Sequence, residues 1–316
     1  MEKIRMGVSA CLMGEKVRYD GQHKHDTYIT ETLGQWFEFV PVCAEFELGL
    51  GVPRETMRLE GDPEHPRLMT GKSRRDLTAS MREWCDKRVG ELEQENLCGF
   101  IFKSKSPSCG MERVKVYSEH GMPSNTGRGL FADAFMNRFP LLPVEEEGRL
   151  HDPALRENFI ECVFALRRWR ELLAENNTRA GLVKFHERHK YLLMSHSVPA
   201  YRALGRIVAE MKGRRLPVVQ KEYLGQMMEA LRARATVSRH VNVLEHLAGY
   251  FKKPLGPDEK AELRETIASY KAGHVPLIVP ITLINHYIRK YQEPYLADQY
   301  YLKPNPVELR LRNHVY

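Results

Sequence analysis

SRRDLTASMREWCDKRVGELEQEN (73–96) runs straight into LCGFIF (97–102) and then into KSKSPSCG (103–110). In the first segment Leu77, Met81, Trp84, Cys85, Val89 and Leu92 recur at three- and four-residue spacing, the period of a helix with one apolar face. The second is a short apolar run bounded by polar residues, the pattern of a buried strand. The third is a polar loop that carries Cys109. Outward from this unit, IRMGVSA (4–10) and FEFVPV (37–42) are expected strands, with the polar GEKVRYDGQHKHD and a helix over 27–36 between them. The Gly- and Pro-rich segment after residue 48 reads as a loop. RVKVYS and PLLPVE are weaker strand candidates flanking a short helix at 130–138. Strands alternating with helices predict an α/β domain: an open, mostly parallel sheet with helices on both faces.

After EEEGRLHDP the pattern changes. Segments near 153–175, 179–195, 198–212, 218–234, 238–252, 257–271 and 279–291 are apolar at helical spacing, punctuated by Pro217, Pro254, Pro257 and Pro276. The chain is thus expected to hold an α/β domain at 1–150 and an all-α domain at 151–316. Charge divides at the same place. Residues 1–150 carry 21 Lys and Arg against 24 Asp and Glu, whereas 151–316 carry 27 against 17, so the second domain invites a polyanionic partner. No apolar run approaches the roughly 20 residues of a membrane span. MEKIRMGVSA lacks the apolar region of a signal peptide, so a cytoplasmic protein is expected.

Six cysteines are too few for a disulfide scaffold in a chain of 316 residues. Three of them fall at strand ends: Cys11 after the first strand, Cys43 after the second, Cys109 in the loop after the third. In an open parallel sheet the carboxyl ends of the strands share one edge, where ligands bind. Three thiols there could hold a metal centre. Structural zinc prefers four ligands in paired CxxC units, which the chain lacks, and iron–sulfur clusters are held by thiolates. Cluster, zinc and purely structural cysteines all remain open on spacing alone. Cys85, Cys98 and Cys162 sit in apolar patterns and read as core residues. Glu45, two residues after Cys43, is placed to act as an acid/base group. Ser9, Arg18, Tyr19, Asp20 and Arg54, together with Ser104, Ser106 and Ser108, supply cations and hydrogen-bonding groups on the same rim.

SACLMGEKVRYDG, VCAEFELGLGVPRE and KSKSPSCG resemble the three sequence blocks of the thiouracil desulfurase family, in the family's order and spread over most of residues 1–145. The residues after 150 resemble a YbgA-type helical domain, a fusion similar to bacterial tRNA 4-thiouridine desulfidases. The resemblance implies a 4Fe-4S cluster held by Cys11, Cys43 and Cys109, with Glu45 as catalytic acid/base and Ser106 as its partner. It implies a hydrolytic reaction that converts 4-thiouridine in tRNA to uridine with release of sulfide. Free thiouracil or thiolated nucleosides are an alternative substrate, and a metal-containing RNA-binding regulator is a non-enzymatic alternative. Ala44 stands where the family usually has proline, a change that removes no functional side chain.

A thiolated nucleotide within tRNA must be flipped into such a pocket while the surrounding RNA is held. Arg167, Arg168 and Arg170 (LRRWRE), Lys212, Arg214 and Arg215 (MKGRR), and Arg232, Arg234 and Arg239 (RARATVSRH) are the candidate phosphate contacts, and Lys184, His186 and Lys190 from KFHERHKYLLMSH are expected to line an RNA-facing helix. In that last segment His186 and His189 are three residues apart, so it is not the HExxH zinc motif. No membrane and no obligate protein partner are expected.

Overall fold

The computed structural model describes residues 2–118 and 120–314. It divides into two compact units, Met1–Asp152 and Pro153–Tyr316. In the first, β1 (Ile4–Ser9) and β2 (Phe37–Val42) pair in parallel over their whole length, Ile4 opposite Phe37 and Ser9 opposite Val42. A four-residue helix, α1 (Ala44–Glu47), follows β2. Two short strands, β3 (Met57–Glu60) and β4 (Arg67–Thr70), lead to α2 (Thr78–Leu92) and then to β5 (Phe100–Phe102). Next come β6 (Val114–Tyr117), β7 (Pro123–Gly127), α3 (Leu130–Arg138) and β8 (Val144–Glu146).

The strands form two sheets. One is wholly parallel with order β2-β1-β5-β8; the other, β4-β3-β6-β7, joins two antiparallel pairs through the parallel contact of β3 with β6. The expected parallel sheet is present. RVKVYS, however, belongs to the second sheet, and two of that sheet's strands come from the segment read as a loop. Those strands are four residues long, too short for alternation to stand out from the glycines and prolines beside them. The helix expected at 27–36 is a single π-helical turn (Tyr28–Thr32) followed by a 3-10 turn (Leu33–Gln35).

β1 can lie against β5 because residue 7 is glycine: a Cβ there would meet the Phe100 ring at 2.1 Å. Phe100, Phe102, Phe131 and Phe135 form an aromatic cluster with centroids 4.3–6.1 Å apart, which fastens α3 to β5. All four strands of the parallel sheet point the same way, so Ser9, Val42, Phe102 and Glu146 end at one edge.

The second unit is helical. It comprises α4 (Pro153–Glu175), α5 (Arg179–His196), α6 (Val198–Ala209), α7 (Leu216–Arg232), α8 (Val237–Ala248), α9 (Pro257–Lys271), α10 (Ile278–Tyr291) and the short α11 (Pro294–Ala297). Thr178, Ser197 and Thr236 cap α5, α6 and α8 by accepting backbone N–H bonds with their side chains. None of the described helices is long and apolar enough to cross a membrane.

A buried charge network ties α4 and α5 to the chain after α11. The Arg312 guanidinium donates to Glu161 at 2.5 Å, its backbone N–H donates to Glu157 at 2.9 Å, and His196 Nε2 lies 3.2 Å from Glu161. Burial pushes the Glu157 carboxyl up, with the charge of Glu161 adding to it. Glu161 is held low despite its burial because Arg312 and His196 face it. Arg312→Ala would remove the one arginine that faces both buried carboxylates, leaving them only histidine partners, and we expect it to destabilise the full chain by about 3–5 kcal/mol in a denaturant titration. A loss below about 1 kcal/mol would show that the network is not needed for stability.

Candidate active site

Three strands of the parallel sheet, β1, β2 and β5, each deliver part of one cavity at their carboxyl ends. After β1 the chain enters a 3-10 turn, Ala10–Met13, that buries Cys11 and ends on Gly14 in the left-handed region. After β2, Cys43 precedes α1, and its N–H donates to Glu47 at 2.9 Å. After β5 comes the loop 103–110. Lys103 and Ser104 are anchored beyond β8: Lys103 Nζ pairs with Glu147, and Ser104 donates to Glu147 through its N–H at 2.7 Å and its hydroxyl at 2.8 Å. The Lys103 N–H donates to Ser9 Oγ at 2.9 Å.

The first turn of α3 locks the rest of that loop. Leu130 N donates to Pro107 O, Phe131 N and Ala132 N donate to Ser108 O, and Gly129 N donates to Gly110 O at 2.8 Å. Gly129 lies so close that a Cβ would sit 2.5 Å from the Ser108 carbonyl and 2.8 Å from Cys109 N. These are backbone atoms and cannot swing aside, so Gly129→Ala must move the cysteine loop or the helix. We expect at least about 1–3 kcal/mol of destabilisation, measured by thermal melting, together with loss of whatever Cys109 binds.

Cys11, Cys43 and Cys109 line one cavity of about 400 Å³ with Glu45, Arg54, Ser106 and Ser108. Glu45 is held from both sides. Its Oε2 accepts from Arg54, Nε at 3.1 Å and a second guanidinium nitrogen, while Arg54 also donates to the carbonyls of Val17 and Gly51 at 3.0 Å. Its Oε1 accepts from Ser108 Oγ at 2.9 Å. Ser106 Oγ lies 2.9 Å from Ser108 Oγ and accepts from the N–H of Cys109 at 3.1 Å. Ser108 spends its proton on the carboxylate, so Ser106 donates to Ser108, giving a chain Ser106→Ser108→Glu45.

The geometry corrects the expected pairing of Glu45 with Ser106: Ser108 stands between them. Ser104 is committed to Glu147. Ser9, Arg18 and Tyr19 line the cavity, whereas the exposed Asp20 does not; its carboxylate accepts from the Gln22 N–H at 3.1 Å and lies 3.5 Å from Arg18. Sequence reading missed Lys103 and Glu147. They are 44 residues apart and meet only because β5 pairs with β8.

As free thiols these cysteines would be poor ligands. Burial pushes Cys11 up to about 12, with neighbouring Cys43 adding to it, and raises Cys43 and Cys109 as well. Thiolates in such a place need a cationic group to balance them. Among the described residues no set of three or more His, Cys, Asp and Glu side chains could hold a single metal ion. Three thiols around an open cavity suit a larger cationic group, and an iron–sulfur cluster is one.

The basic candidates of the helical unit fare unevenly. Arg168 is half-buried with its guanidinium enclosed: it donates to Pro304 O at 2.7 Å and His189 Nε2 at 3.1 Å and stacks on Tyr300, so its charged end braces the fold. Burial lowers it to about 10. Arg167 is paired with Glu171 and Arg214 with Glu222. Arg170 is half-buried. Lys184 and Arg215 are exposed, and Lys190 lies over the Tyr191 ring. His186 faces Tyr223 OH at 3.0 Å and lies parallel to Tyr201, an interior role.

Residues 6–147 match the model of the 2-thiouracil desulfurase family, and residues 190–306 match a family described as a protein of unknown function (DUF1722). The chain is 33% identical over 152 residues to the protein YbgA of Escherichia coli (strain K12), covering 48% of this chain and 90% of YbgA. It is 30% identical over 108 residues to YbbK of Bacillus subtilis (strain 168), covering 33% of this chain and 71% of YbbK. Among solved structures, the [4Fe-4S]-dependent thiouracil desulfidase TudS is 30% identical, over 49% of this chain and 97% of that one, with a TM-score of 0.39. With three cysteines and a serine-bound carboxylate gathered at one sheet edge, the chain belongs to the 2-thiouracil desulfurase family through residues 6–147, and it belongs also to the family of YbgA.

Proposed function

We propose that the protein is a 4Fe-4S-dependent desulfidase that converts 4-thiouridine in tRNA to uridine and releases sulfide. The observation that carries this reading is the convergence of Cys11, Cys43 and Cys109 with the Ser108–Glu45–Arg54 array on one cavity. Cys11, Cys43 and Cys109 would hold the cluster; when bound, it supplies an iron without a cysteine ligand, a Lewis acid that suits a soft thione sulfur.

The chain's own groups then handle water and protons. Arg54 fixes Oε2 of Glu45 and leaves Oε1 turned toward Ser108 and the cavity. Glu45 takes a proton from a water molecule as the water oxygen adds to the thione carbon. The C–S bond breaks, sulfide leaves, and the carbonyl of uridine forms without net oxidation or reduction. Ser108, backed by Ser106, can return a proton to the departing sulfur or to the base.

Nucleoside mass analysis of thiolated tRNA before and after anaerobic incubation with the reconstituted protein tests the reading. Loss of 4-thiouridine with a matching gain of uridine and sulfide is expected; unchanged 4-thiouridine would overturn it. The cavity volume also admits a free base, so turnover of 4-thiouracil in a parallel reaction distinguishes the simpler substrate.

A further inference from the structure

A second cavity, of about 440 Å³, lies within the helical unit and takes no part in the chemistry above. One face of α4 lines it, with Ala154, Glu157, Asn158 and Glu161 at three- and four-residue spacing. His196 joins them from the end of α5. Arg234, Thr236, Val237 and His240, from the turn before α8 and its first residues, supply the rest of the polar lining.

The unmet groups on α4 accept hydrogen bonds. Asn158 Nδ2 donates to Leu231 O at 3.2 Å, but its Oδ1 is buried without a partner. Glu157 Oε2 accepts from the Arg312 N–H, whereas Oε1 lies 3.5 Å from Arg312 Nε with no hydrogen bond between them. Burial, with the charge of Glu161 adding to it, pushes the Glu157 carboxyl up, so its negative charge is under-compensated where it stands.

The unmet groups around α8 donate. His240 is 1% exposed, and its Nδ1 faces the Tyr301 hydroxyl at 3.0 Å. That buried hydroxyl has no other partner among the described residues, so it donates to Nδ1 and leaves the ring proton on Nε2. Nε2 has no partner, and because Tyr301 lies outside the cavity, Nε2 is turned to the cavity side. Burial lowers the imidazole to about 3, with Arg312 adding to it, so His240 is a neutral donor. Arg234 is exposed at the mouth and carries no ion pair among the described residues. Thr236 caps Arg239 N, which leaves the first N–H groups of α8, at the positive end of its dipole, next to Arg234 in the chain.

An anion alone would leave Asn158 unmet and face the Glu157 carboxylate. A cation alone would leave His240 unmet and face Arg234. A molecule that satisfies both halves carries an ammonium and a carboxylate, and Ala154, Ala235 and Val237 offer its remaining part carbon and no further charge. We propose that this cavity binds a free α-amino acid with an apolar side chain, its ammonium on Glu157 and Asn158 and its carboxylate on Arg234, His240 and the start of α8. The inference concerns the helical unit alone and does not rest on the desulfidase reading.

Calorimetric titration of the full chain with three matched molecules tests it. L-Norvaline carries both groups, pentanoate lacks the ammonium and butylamine lacks the carboxylate. L-Norvaline should bind at least about tenfold more tightly than either, because each of the others forfeits one set of charge-assisted contacts. Arg234→Ala, a change at an exposed side chain, should cut the advantage over butylamine at least about threefold, and Arg234→Lys, which keeps the charge, should restore most of it. Asn158→Ala should instead cut the advantage over pentanoate. Thermal melting shows whether each variant is folded; should Asn158→Ala not fold, the two Arg234 variants decide. No binding of L-norvaline, equal binding of pentanoate or butylamine, or an advantage over butylamine that Arg234→Ala leaves intact would overturn the proposal.

Discussion

Cys109→Ala is expected to leave the reconstituted protein colourless, with iron falling from about four per chain to near zero. Cys109 is the most enclosed of the three cavity thiols, and Ser106 and the first turn of α3 fix its loop from both sides. No other described cysteine can replace it, because Cys85 and Cys162 are buried in α2 and α4 and Cys98 lies before β5, away from the carboxyl edge. Sulfide release should drop by more than about a hundredfold, beyond the 10–100-fold cost of losing a group that only supports a ligand. Cys85→Ala removes a thiol from the same domain and should keep both iron and activity. If Cys109→Ala retains iron and colour, the ligand set is wrong.

Glu45→Gln is the second large effect. The amide keeps the shape and can still meet Ser108, yet it cannot take a proton. The rate should fall roughly 10²–10⁴-fold while iron content and visible absorption stay those of the parent. Separating rate from cofactor content distinguishes chemistry from assembly. Ser108→Ala should cost more than Ser106→Ala, because only Ser108 touches the carboxylate. A larger loss in Ser106→Ala would place the working proton one residue earlier. Activity in Glu45→Gln within a few-fold of the parent would remove Glu45 from the reaction.

The helices of the second unit were the most legible part of the fold. Apart from the four-residue α11, each repeats its apolar face over 12 residues or more, and prolines and hydroxyl caps mark several of their starts, so local pattern and tertiary structure agree. The parallel sheet was legible for a related reason: its strands alternate with helical stretches. The mixed sheet was not. β7 is PSNTG, a sequence with little strand propensity, and it forms because it pairs with β6. Its Gly127 is held there by packing, since a Cβ would fall 2.3 Å from Val116.

Charge counting was the least reliable guide to single residues. It showed a basic second half but could not separate Arg168, whose guanidinium is enclosed by Tyr300 and Pro304, from exposed Lys184 in the next helix. Burial depends on which helix face meets the core, and a long amphipathic side chain on the boundary can go either way.

By itself the sequence determined that three cysteines follow three strands, and parallel strands bring their ends to one edge whatever the loops do. Which serine touches Glu45 was decided only by tertiary structure. Ser104, Ser106 and Ser108 alternate in one loop and look equivalent in sequence. Glu147 captures the first from beyond β8, and Glu45 meets the third across 63 residues of chain. Local patterns encode periodicity; contacts between distant residues depend on how sheets pair, and no short stretch carries that information.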